Sequence, residues 1–162
     1  MKYGKIEVFH FSRLHGFFDP PLLSLSILES SVLWPKCIWK YLDFIFNKKL
    51  SFHQHINFHV NKAISIVKCM KILDNSVQCL NLQQKWLLYR SYVLPITFYG
   101  FQLWFYNKAL LSYPLKELNK MQRRATIWIL DAFQTLLSFS IKTITGLIPI
   151  HLHLWKLSSR SP

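Results

Sequence analysis

Four glycines in 162 residues, at Gly4, Gly16, Gly100 and Gly146, are too few and too scattered to build a loop that cradles phosphate. The seven acids, Glu7, Asp19, Glu29, Asp43, Asp74, Glu117 and Asp131, never come closer than ten residues in sequence. No DD or DxD occurs, so the paired carboxylates that serve phosphoryl transfer and glycoside hydrolysis are not encoded as a local motif. Three cysteines, Cys37, Cys69 and Cys79, lack CxxC spacing, which argues against a zinc knuckle and a disulfide framework. There is no GxSxG and no cysteine beside a histidine motif, so nucleophilic catalysis has no signature either.

A long apolar run is also missing. Residues 91–106, SYVLPITFYGFQLWFY, hold 16 uncharged residues, interrupted by Pro95, Gly100 and Gln102. A membrane-crossing helix needs roughly 20, so a buried helix–turn element is expected there. At the N-terminus Lys2, Lys5, Glu7 and Arg13 break up any signal-peptide core. The expected setting is intracellular, in nucleus or cytoplasm.

What the chain does have is positive charge and aromatic bulk. Twenty lysines and arginines against seven acids leave a net charge of +13, spread along the chain, which favours polyanions such as nucleic acid or acidic lipid. Apolar residues make up 51% and aromatics 16%, too many for a disordered basic tail. So many large apolar side chains need a partner surface or a larger core, as in a piece of a bigger protein. The competing class is a small basic membrane-associated protein.

The patterning predicts an α+β chain, mostly α, with a β portion over 1–50 and a helical region over 51–162. KIEVFHF at 5–11 alternates as a half-buried strand does. Residues 12–38 read as loop around a turn at Asp19, Pro20 and Pro21. KYLDFIF at 40–46 reads as one strand, with Leu42, Phe44 and Phe46 on one face and Tyr41, Asp43 and Ile45 on the other. Asn47 and Lys48 would turn the chain, and Ser51 would cap the next helix. That helix, over 52–73, carries Ile56, Val60, Ala63, Val67 and Met70 on one face. A second should run from Leu82 to Leu94 and kink or end at Pro95. A third, Leu115 to Ile129, places Leu115, Leu118, Met121, Ala125 and Trp128 on its apolar side. A short helix from Leu152 to Leu157 follows a turn at Pro149.

Off the apolar stripes stand Lys62, Lys68 and Lys71 on the first helix, and Lys116, Lys120, Arg123 and Arg124 on the third. These seven are the candidate contacts to a phosphate backbone, with Trp128 or Tyr113 as aromatic support. The histidines His53, His55 and His59 form HxHxxxH, but no acid stands near enough to complete a metal site, and they read as surface residues. No catalytic residue, metal, cofactor or small-molecule substrate is expected.

Taken together and in order, six blocks are similar to one family: KIEVFHFSR, WKYLDFIFNKKLSFHQHI, NKAISIVKCMKIL, LLYRSYVLPITFYGFQLWFYNKA, LKELNKMQRRATIWIL and GLIPIHLHLWKL. They resemble the segment downstream of the catalytic palm in reverse transcriptases of fungal LINE-like (non-LTR) retrotransposons, over nearly the whole chain. The resemblance implies that the paired catalytic aspartates lie upstream of this segment. Lys5 would then stand in the post-catalytic strand. WKYLDFIF would be the hairpin gripping the primer end, which adds Lys40 to the candidate contacts. Residues 52 to about 130 would be the thumb and connection holding an RNA–DNA duplex. The chain departs from the family at two glycines, a KYLGF pattern having Asp43 here and an ILGAF pattern having Asp131. A carboxylate at Asp43, facing phosphates, would weaken the grip.

Overall fold

The structure is a computed structural model that describes residues 9, 11, 23–24, 32–33, 36–77, 80–105 and 112–160. The architecture is α+β and mostly α, with short antiparallel strands followed by helices. The chain divides into two compact units, residues 1–55 and 56–162.

In the first unit β1 (Leu23–Ser24) pairs antiparallel with β2 (Val32–Leu33), so the segment expected to be loop contains a minimal ladder. The strand expected at 5–11, Lys5 and the turn at Asp19 lie outside the described residues, apart from Phe9 and Phe11. The single strand expected over 40–46 is instead a hairpin. β3 (Ile38–Tyr41) and β4 (Phe44–Asn47) pair with Tyr41 opposite Phe44 and Trp39 opposite Phe46. Leu42 and Asp43 alone form the turn, with φ of 47° and 63°. Two residues in the left-handed region give the primed turn whose twist matches that of the flanking strands. The usual sign of such a turn is Asn-Gly, and Leu-Asp conceals it.

Tight pairing brings the aromatics of both strands onto one face. Trp39 stacks on Tyr41 at 5.0 Å and lies 5.8 Å from Phe46, which in turn is 6.1 Å from Phe44. Phe9 and Phe11 cover this face, 6.1 Å from Trp39 and 6.3 Å from Phe46 respectively. At the turn, Asp43 forms an exposed ion pair with Lys40 at 2.9 Å. The aspartate therefore has its own counter-charge. Asp43 sits at a positive φ, the backbone conformation that favours glycine.

After β4 the chain turns on Asn47, whose side chain accepts from the Ser51 amide at 2.8 Å and donates to the Ser51 hydroxyl at 2.5 Å. With its hydroxyl so engaged, Ser51 is a loop residue and not the expected cap. α1 (His53–Val77) begins two residues later.

The second unit is helical. Along α1 the five expected stripe residues Ile56, Val60, Ala63, Val67 and Met70 are all buried. α2 (Leu82–Leu88) starts with a reciprocal cap, in which Asn81 and Gln84 each accept from the other's amide. Pro95 does not stop this helix. A π-helical turn, Tyr89–Val93, widens the ladder just before the proline and leads into α3 (Leu94–Thr97). The Leu94 amide reaches back five residues to Tyr89. Pro95 then sits in the first turn of α3, where a missing amide hydrogen costs nothing. The break falls instead at Gly100, with φ of 65°, before α4 (Phe101–Trp104).

α5 (Ser112–Leu130) is the central helix and packs against α2, α6 (Ser138–Thr145) and α7 (Ile150–Ser158). Its buried face holds Leu118, Met121, Ala125, Trp128 and Ile129, whereas Leu115 is half-buried. Helix α6 falls in a segment for which the sequence pattern predicts no element. Both α5 and α6 end in the same left-handed cap. After α6 Gly146 takes it, with Gly146 and Leu147 donating to Thr143 and Lys142. After α5 Asp131 takes it at φ 49°, with Asp131 and Ala132 donating to Trp128 and Ile127.

Among the described residues no helix is long and apolar enough to cross a membrane. The 91–106 stretch is the expected helix–turn element as far as it is described, with Val93, Thr97, Phe98 and Trp104 buried.

Candidate functional site

A cleft of about 650 Å³ opens between α1, α5 and the loop after α5. α1 contributes Lys68 and Lys71 to its wall, and α5 contributes Lys120, Arg123 and Arg124. Helical spacing explains the convergence. On each helix these cations flank the apolar stripe, so burying the stripe leaves them at the edge of the contact. Five of the eight candidate residues thus share one surface. Lys62 and Lys116 are exposed on the same helices but outside the cleft, and Lys40 belongs to the hairpin of the other unit.

The five cations have different occupations. Arg123 is spent on the loop after α5. Its guanidinium donates to the carbonyls of Gln134 at 2.7 Å and Leu136 at 2.9 Å, and to the Ser138 hydroxyl. It shapes the cleft wall and keeps little donor capacity for a ligand. Lys120 pairs with Glu117 at 2.6 Å. Lys68, Lys71 and Arg124 make no ion pair or side-chain hydrogen bond among the described residues, and the one carboxylate in the cleft lining, Asp131, is paired with Lys85.

Trp128 lines the cleft, although little of its surface is accessible. Trp128 is only 3% exposed and forms part of the core, because it continues the apolar stripe of α5. Tyr113 is exposed, and its hydroxyl accepts from Asn57 at 2.9 Å. Phe133, in the loop after α5, is 82% exposed but does not line the cleft.

Under the cleft lies an ion-pair cluster that sequence reasoning missed. Lys85 is 3% exposed and contacts Asp74 at 2.6 Å and Asp131 at 2.5 Å. Burial pulls the Lys85 ammonium down, but Asp131 and Asp74 more than offset it, so its pKa lies above the ordinary value. Lys85 holds the Asp74 carboxyl below its ordinary range against the opposing effect of burial, and the Leu80 amide helps by donating at 2.7 Å. The one available signal was periodicity. Lys85 stands four residues before Tyr89 and eight before Val93, on a stripe where all three are buried.

The histidines also depart from expectation. His53 is exposed, but His55 and His59 are buried. The His55 ring stacks on Phe44 at 5.2 Å and its Nδ1 faces the Ile45 amide at 3.4 Å, whereas His59 stacks on Tyr99 at 5.0 Å. Both lie on the inner face of α1, where their flat rings serve as packing groups. Among the described residues no group of three His, Cys, Asp or Glu could hold a metal ion.

Comparison with family models, with curated proteins and with solved structures finds no match to this chain. What the cleft can do therefore rests on its chemistry. An open groove with three cations that are unpaired among the described residues attracts extended anions.

Proposed function

We propose that the chain is a non-catalytic piece or relic of a non-LTR retrotransposon reverse transcriptase, from downstream of the palm, and that its cleft binds the backbone of an RNA–DNA duplex without regard to sequence. The observation that carries the binding is the meeting of Lys68 and Lys71 with Lys120 and Arg124 around one groove, from helices some fifty residues apart. Charge of this kind binds phosphates by releasing counterions, whatever the base sequence.

Two backbone angles support the family origin. The chain differs from the family's glycines at Asp43 and Asp131, and both have positive φ. Left-handed backbone is where glycine is favoured, and aspartate is among the residues that tolerate it. The absence of any acidic pair in the sequence fits a segment that leaves metal binding to a palm elsewhere.

The test is a fluorescence-anisotropy titration of an RNA–DNA duplex at increasing salt. Three unpaired cations should give a slope of log affinity against log salt of about −3. The Lys68→Glu, Lys71→Glu, Arg124→Glu triple variant should lose binding while keeping its helical circular dichroism. Absence of wild-type binding at low salt, or unchanged binding by the triple variant, would remove the proposal.

A further inference from the structure

A second cavity, of about 250 Å³, lies elsewhere in the helical unit and shares no lining residue with the basic cleft. Four parts of the chain build it: α2 with the π-helical turn, the middle of α5, the end of α6 and the face of α7. Its mouth carries three exposed cations, Arg90, Lys156 and Arg160, and no carboxylate lines it. Arg90 lies over the Trp86 ring at 5.4 Å, which holds the guanidinium at the rim. Leu94, Leu147 and Leu157 give the walls an apolar surface.

Tyr89 is 1% exposed, and its hydroxyl makes no hydrogen bond of good geometry among the described residues. Burial pushes the phenol above its ordinary value, so it stays a neutral donor. The neighbouring Gln122 side chain donates to the Ile148 carbonyl at 2.8 Å and accepts from the Ile150 amide at 3.3 Å, and its influence on the phenol opposes that of burial without cancelling it. A buried hydroxyl without a partner costs free energy that an incoming acceptor would recover. The π-helical turn is what places Tyr89 and Arg90 side by side here, and such turns often mark functional positions. His153, also in the lining, has its pKa lowered by burial and by the nearby charges of Lys156 and Arg90, a sign of positive potential inside the cavity.

We propose that this cavity binds a small aromatic acid, its anionic group held at the mouth by Arg90, Lys156 and Arg160, its ring against Trp86, Leu94 and Leu157, and a polar atom at its far end bonded to the Tyr89 hydroxyl. The sequence-level expectation of no small-molecule substrate came from absent motifs. A cavity assembled from four separate segments leaves no motif to find. The inference is independent of the nucleic-acid reading.

Three fluorescent probes test it on the full chain: 6-hydroxy-2-naphthoate, 2-naphthoate and uncharged 2-naphthol. The hydroxynaphthoate should bind tightest, naphthoate roughly threefold to tenfold more weakly and naphthol more weakly still. Tyr89→Phe should abolish the preference for the hydroxy acid over naphthoate without changing naphthoate affinity. Lys156→Ala with Arg160→Ala, both exposed and so harmless to the fold, should bring naphthoate down to the affinity of naphthol. In NMR titrations the acids should raise the His153 pKa, and naphthol should leave it unchanged. Equal affinity for naphthol and naphthoate, a hydroxy-acid preference that survives Tyr89→Phe, or competition by inorganic phosphate at equal concentration would each overturn the proposal.

Discussion

The carboxylate of Asp131 lies 2.5 Å from the ammonium of Lys85, a residue 46 positions earlier in the chain. Asp131 reaches it from the left-handed residue that ends α5, so one residue carries both a backbone cost and a charge contact. The two effects separate by substitution. Asp131→Gly relieves the backbone and loses a carboxylate that is 71% exposed but pairs with the buried Lys85. Asp131→Ala loses the same carboxylate and keeps the strain. Glycine should be more stable than alanine here by about 1 kcal/mol, read from urea denaturation midpoints.

Lys85 and Asp74 are both buried and should behave as a unit. Lys85→Met leaves the Asp74 carboxylate buried without its cation, and Asp74→Leu strands the ammonium with only the exposed Asp131. Each single variant should melt well below wild type. The double variant should melt above both, because replacing a whole buried pair by apolar groups avoids the unpaired charge. Additive losses in thermal denaturation would show that the pair is not coupled.

The same pair sets a pH window. Asp74 has a lowered pKa in the folded chain, so its contribution is present above its ordinary value of 3.8 and is lost as pH falls through the lowered one. Lys85 has a raised pKa, so its contribution is present below 10.5 and is lost as pH rises through the raised value. The stability difference between wild type and the Lys85→Met, Asp74→Leu double variant should be flat between these limits and change outside them. Chemical denaturation across the pH range measures it.

Arg123 and Arg124 are adjacent in sequence and differ in task. Arg123→Ala should speed amide exchange and proteolysis over residues 134–138, whose carbonyls and hydroxyl it holds, with little effect on the salt slope of nucleic-acid binding. Arg124→Ala should lower that slope by about one and leave the loop protected. If the two variants behaved alike, the division of labour would be wrong.

In the hairpin, Leu42→Asn combined with Asp43→Gly installs residues suited to two left-handed positions. The exposed pair of Asp43 with Lys40 is lost, a small cost. The expected outcome is a net gain of about 1 kcal/mol, visible as slower exchange of the β3 and β4 amides.

The buried stripe of α1 and most of that of α5 were legible because a helix repeats every 3.6 residues, and burial follows the repeat through Ile56, Val60, Ala63, Val67 and Met70. Alternation alone did not show the hairpin, which the family resemblance implied, because Leu42 and Asp43 stand where turn chemistry usually writes glycine. Pro95 misled for a related reason. Its effect depends on the ladder around it, and the π-helical turn one residue upstream absorbs the disruption.

By itself the sequence determined the helical character of the chain, the inner faces of α1 and α5, and the excess of positive charge at their edges. These are local properties, set by spacing and composition. Only the tertiary structure decided that Lys68 and Lys71 would meet Lys120 and Arg124, and that Lys85 would lie buried between Asp74 and Asp131. Those outcomes depend on how helices far apart in the chain pack together. Packing is chosen by the fit of whole faces, a quantity that no single segment encodes.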